Sequence, residues 1–192
     1  MKIEAKPYHH GDLRAALLAA AEAELAERGI EGFSLRSVAK RAGVSHAAPA
    51  HHFGDADGLL TALATEGFHR FLACQHQREA KADPDPLAQL VAAGLGYVDF
   101  AMERPALFRL IFSSSRPKSA DPDLLAAGNA SYGHLVAQVD AAKGDAADVA
   151  AAWAMAHGLA DLVMSGRLQS IAAMEPAARD AMLAGLIRRA LP

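Results

Sequence analysis

From residue 34 to residue 53 the chain reads SLRSVAKRAGVSHAAPAHHF. Its apolar positions Leu35, Val38, Ala39 and Ala42 recur at three- and four-residue spacing, while Arg36, Ser37, Lys40 and Arg41 fall on the outer face, a pattern that predicts a short helix. Ser34 suits the N-cap, Gly43 the left-handed position just past the end, and Val44 returns the chain to the core. Ser45 is a natural cap for a second helix. On that count Pro49 falls at the fourth helical position, where it removes the first intrahelical hydrogen bond and predicts a distorted start. Two such helices joined by a glycine turn make a helix-turn-helix, the device that sets a second helix in the major groove of DNA.

The same reading finds helices in the rest of the chain. Residues 13–28 carry Leu13, Leu17, Ala21 and Leu25 on one face, with Asp12 as cap and Gly29 as terminator. Residues 1–11 read as a mobile arm bearing Lys2, Lys6, Tyr8, His9 and His10. After GDADG, with Asp55 or Asp57 available as cap, Leu60, Leu63, Ala64, Phe68, Phe71, Leu72 and the polar Gln75 keep to one stripe of a long helix reaching about Lys81. Asp83, Pro84, Asp85 and Pro86 stop it. Proline and glycine punctuation then predicts helices at 86–103, 105–113, 122–142, 145–166 and 176–191.

The expected fold is all-α. A three-helix DNA-binding bundle at 8–56 is joined by the long helix to an antiparallel helical body at 57–192 that also offers a dimerisation surface. The last two helices are rich in small residues and carry Met182, Leu183, Leu186, Ile187 and Ala190 at helical spacing, so two copies are expected to pair there as a four-helix bundle.

Composition narrows the class. Hydrophobic residues make up 52% of 192, ample for a buried core. The net charge of −3 announces no polyanionic partner, so the case for DNA rests on where charges sit. Residues 34–53 hold three cations and no acid, a local footprint. A single cysteine, Cys74, excludes an internal disulfide framework. No secretion signal is visible, and Asp99, His157 and Asp161 interrupt the most apolar stretches, so a cytoplasmic protein with no membrane partner is expected.

Candidate chemistry follows. Arg36, Lys40 and Arg41, with His51 and His52 at the far end of the second helix, are phosphate candidates. His46 is placed to meet a purine edge and Ala47 and Ala48 to meet thymine methyls; Ser37 and Ser45 complete the candidate DNA-contact set. In the body, Phe71, Tyr97, Phe100, Phe108, Phe112, Trp153 and His157 are the aromatic and polar mixture expected around a cavity for a small, largely apolar effector. No metal site is expected from His9, His10, His51 and His52, because adjacent helical histidines point apart and no carboxylate or cysteine joins them. No nucleophile–base set, phosphate loop or cofactor motif is present, which argues against an enzyme.

These residues resemble the TetR/AcrR family of bacterial one-component regulators. The likeness covers roughly the first 75 positions, carried by VSHAAPAHHFGDADGLL with Val44, Ser45, His52, Phe53, Leu59 and Leu60 in matching places. YHHGDLR, at Tyr8 to Arg14, and Pro49 are similar to one large subgroup, as are Trp153, His157 and Gly158 to the Trp-His-Gly motif of its ligand domain. The resemblance implies an all-α homodimer that binds a palindromic double-stranded operator, represses transcription, and releases DNA when a small molecule enters the body. Ala50 and Ala56 stand where the family usually has Tyr and often has Lys, both common phosphate contacts. That departure leaves a protein-interaction module or an enzyme with lost or weak DNA binding as the alternative.

Overall fold

The structure, a computed structural model, describes residues 10–191, with side chains from Leu13 onward. The arm expected over residues 1–11 lies, up to residue 9, outside the described residues. The described chain is all-α, with no strand among its residues. Helices α1 (His10–Arg28), α2 (Leu35–Ala42) and α3 (Ala48–Phe53) form a small head. Leu17, Ala21 and Leu25 of α1 are buried together with Val38 and Ala39 of α2, as their spacing predicts. The first helix starts earlier than expected, so Asp12 lies within it and is not its cap.

Ser34 caps α2 in extended conformation, accepting from Ser37 N–H at 3.2 Å. Gly43 (φ 68°) turns the chain, and Val44 N–H reaches back to the Ala39 carbonyl at 3.0 Å. This closes the helix through the left-handed residue that glycine adopts at least cost. The next helix departs from expectation: it begins at Ala48 after a turn in which Ala48 N–H meets the Ser45 carbonyl, and no side chain caps it. Pro49 therefore sits in the first turn, where its missing N–H had no intrahelical partner to lose, and the predicted distortion does not arise.

The long helix α4 (Ala56–Glu79) starts at Asp55, whose carboxylate accepts from Gly58 N–H at 2.6 Å. Its first half, through Leu59, Leu60 and Leu63, seats the head; its second half packs on the body. The body comprises α5 (Pro86–Glu103), α6 (Pro105–Ser113), α7 (Pro122–Ala141), α8 (Ala146–Met164), a short α9 (Gln169–Ala172) and α10 (Pro176–Arg188). Aspartates precede α5, α7 and α8 and accept from their first N–H groups, and prolines open α5, α6, α7 and α10. The one-turn α9 is too short to leave a periodic signal.

Ion pairs fasten head to body at two places, at Glu22 and in the segment before α7, where Lys118 also meets Asp55 at 3.0 Å. Glu22 of α1 receives Arg70 of α4 and Arg104, the residue between α5 and α6, each at 2.6 Å. Arg116, from the loop before α7, pairs with Asp57 at 2.6 Å and donates to the Ile30 carbonyl at 3.0 Å.

Candidate nucleic-acid interface and body cavity

The head presents α2 and α3 on its outer side. Arg36, Lys40, Ser45, His46, Ala47 and His51 are exposed, whereas Ser37, Ala48 and His52 are half-buried. Arg41 is placed otherwise. Its guanidinium turns inward to Glu24, a carboxylate only 2% exposed, at 3.2 Å, and to Glu27. The hydrogen bonds it donates to Glu27 and Glu24 push its pKa further up, and the same guanidinium holds the Glu27 carboxyl below its ordinary range. Arg28 approaches the other Glu24 oxygen at 3.1 Å. A carboxylate buried at that depth needs such partners, so Arg41, expected at a phosphate, ties α2 to α1 through its guanidinium.

Sequence reasoning left out one cation. Arg14 of α1 lies over the Phe53 ring, 5.5 Å from its centroid, and so stands at the end of α3. Among the described residues, the exposed cations at this face include Arg36, Lys40 and Arg14.

In the body, α4, α5, α6, α7, α8 and α10 enclose a cavity of about 350 Å³, within the range of small-molecule sites. Of the residues proposed from sequence, Phe71, Tyr97, Phe112 and Trp153 line it; Phe100, Phe108 and His157 do not. Phe100 and Phe108 are 0% and 1% exposed, in the core behind the wall. His157 receives Tyr97 from outside the cavity: the hydroxyl oxygen is 2.7 Å from its Nδ1, and its ring stacks on Phe108. Burial pushes the Tyr97 hydroxyl well above its ordinary pKa, so it stays protonated. Phe71 meets Tyr97 edge-to-face at 4.8 Å and Phe112 at 5.4 Å, which fixes the wall. Trp153 closes the rim beside Tyr132.

The wall also contains a polar group that pattern alone did not assign to it. Gln75 is 7% exposed, and its Nε2 donates to the Ala93 carbonyl at 3.4 Å, but its Oε1 has no hydrogen-bond partner. A buried acceptor left unpaired costs on the order of 1–3 kcal/mol. Gln75 was visible in the sequence as the polar residue on an apolar stripe.

Comparisons with known proteins fit both halves. Residues 17–63 match the bacterial regulatory proteins of the tetR family, and residues 90–190 match the tetracyclin repressor-like C-terminal domain. The chain is 39% identical over 79 residues to the HTH-type transcriptional regulator BetI of Burkholderia ambifaria, a stretch that covers 41% of each chain; it thus spans about two-fifths of the length of the curated relatives it matches. A solved protein of unknown function from Rhodococcus sp. RHA1 is 34% identical with a TM-score of 0.81, over 97% of this chain and 99% of that one. A TetR family transcription regulator from Marinobacter aquaeolei VT8 shares the fold at 19% identity and a TM-score of 0.70, over 93% and 94% of the two chains. With a C-terminal match covering more than half its length and a helix-turn-helix match before it, the chain belongs to the TetR family of DNA-binding transcriptional regulators, which are not enzymes.

Proposed function

We propose that the chain is a repressor that binds a palindromic operator as a dimer and is released when a small, largely apolar molecule enters the body cavity. The observation that carries this reading is the double use of α4, whose first half seats the head through Leu59 and Leu60 while Phe68, Phe71 and Gln75 of its second half form cavity wall. A ligand that displaces those three side chains moves the seat of the head. The proposed units are a DNA-binding head at 8–56 and a ligand and dimerisation body at 57–192. Trp153, His157 and Gly158 support placing the body in the Trp-His-Gly subgroup.

Dimerisation is assigned to α8 and α10. Leu162 and Met182 are exposed large apolar side chains on these helices. Beside them Gly158 and Gly185 face open space, where even an added Cβ would meet nothing within 4 Å. Small residues flanking an apolar strip suit close approach of a second helix pair.

Mobility shift of a palindromic fragment from upstream of the gene tests the reading; a dimer that ignores such fragments at low salt would remove it. Arg36→Ala is expected to weaken binding roughly tenfold irrespective of base sequence and to lower the salt slope by about one. Arg41→Ala, in contrast, should leave that slope alone and lower the melting temperature, since its charge is committed to Glu24 and Glu27.

Gln75 Oε1 calls for an effector with one N–H or O–H donor on an apolar frame. Trp153, the chain's only tryptophan, reports binding through its fluorescence at the rim. Medium-chain alcohols are expected to bind more tightly than the matching methyl ethers. Gln75→Leu should erase that preference by weakening the alcohols about tenfold; an unchanged preference would dissociate Gln75 from recognition.

A further inference from the structure

The C-terminal turn of α4 gathers three metal-competent side chains that DNA reading does not use. His76 and Glu79 lie three residues apart on one face of α4, and His134 comes from α7; their ligand atoms all lie within 4.8 Å of one another. His134 Nε2 is 2.6 Å from Glu79 Oε1, and the two imidazole rings stand perpendicular with centroids 4.8 Å apart. One turn beyond His134, Gln138 donates Nε2 to the same Glu79 oxygen at 3.1 Å.

The carboxylate of this cluster is shielded from solvent. Glu79 is the last residue of α4, and its side chain is only 10% exposed. A carboxylate there faces the negative end of the helix dipole. The neighbouring cation is committed elsewhere, because Arg78 is held by Asp99 and Asp180 at 2.5 Å each. Gln138 supplies a dipole but no charge. Two imidazoles and one shielded carboxylate, converging at the C-terminal end of a helix, form a donor set suited to a dication.

We propose that His76, Glu79 and His134 form a binding site for a divalent transition-metal ion of the zinc class. Two nitrogens and one oxygen suit Zn2+ and Co2+, whereas Mg2+ and Ca2+ require oxygen-rich cages. Ligand atoms at bond distance around a tetrahedral ion are separated by roughly 3.4 Å. The Glu79–His134 pair therefore opens by less than an ångström, and His76, exposed on the surface, swings to complete the set. Gln138 then orients the carboxylate from behind. Because the ligands come from α4 and α7, the ion cross-links two walls of the body beside the cavity that His134 also lines.

The test is titration of chelator-treated full-length protein with Co2+ alone, followed by visible absorption, and displacement with Zn2+. The wild type is expected to take up one ion per chain at this site, with the visible bands of low-coordinate cobalt and a raised melting temperature. His76→Ala, whose exposed side chain leaves the metal-free fold intact, and Glu79→Gln should each weaken binding at least about tenfold and abolish the bands. His69→Ala, an exposed histidine on the same helix, should bind as the wild type does. Failure of the wild type to bind either ion, or equal binding by His76→Ala, would overturn the proposal. The measurement needs neither operator nor effector, so it stands or falls apart from the repressor reading.

Discussion

Gly96→Ala is expected to lower the melting temperature by roughly 5–10 °C, from a destabilisation of about 2–3 kcal/mol. A Cβ at this position would stand 2.6 Å from the Gln75 Cα, 2.7 Å from the Cys74 carbonyl oxygen and 2.8 Å from the Gln75 nitrogen. All three are backbone atoms, so no rotamer change relieves the contact. The axes of α4 and α5 must move apart, and these are the two most extensively packed helices of the body. Gly67 and Gly94 are tight as well, but against the side chains of Ile111, Leu107 and Ile187, which can shift. Gly133→Ala is the control. That glycine lies exposed in α7 with nothing within 4 Å of an added Cβ, so alanine there should stabilise the protein by about 0.5–1 kcal/mol. Thermal melts followed by circular dichroism measure both, and a Gly96→Ala melt coincident with the wild type would refute the close backbone crossing.

The second large effect is expected from Leu162→Glu combined with Met182→Glu. Both side chains are already in solvent, at 37% and 44% exposure, so the folded chain accepts the charges without loss of helicity. In the proposed dimer the same carboxylates are desolvated and repelled across the two-fold axis. Light scattering should record a monomer. Operator affinity should fall at least about a hundredfold, because the second half-site no longer benefits from the first. A dimer that survives both changes moves the interface elsewhere, with α7 and its exposed Leu125 and Val136 the next candidate.

Much of this architecture was legible because the chain punctuates its helices heavily. Ser34 and Gly43 bracket α2, Asp55 opens α4, and the Asp-Pro pairs at 85–86 and 121–122 mark where helices restart; each acts within a few residues, so sequence alone locates it. What stayed hidden depends on partners distant in the chain. Arg41 looked like a DNA contact because its helix face is polar, and nothing local says that Glu24, 17 residues earlier, sits beneath it. Glu79 and His134 are 55 residues apart and share no motif. The aromatic residues of α5 and α6 were readable as a group, but the division into cavity wall (Tyr97, Phe112) and packed core (Phe100, Phe108) depends on the rotation of each helix against α4. In α3, the displaced start at Ala48 follows from a single turn at Ser45 that propensity favours no more than a cap.

The two clasps at Glu22 and Arg116 have a mechanical meaning. They hold the head to the body at the middle of α1 and at the start of α4. In the proposed mechanism a displacement of α4 in the body is carried to α3, which packs on the same helix, through fixed contacts.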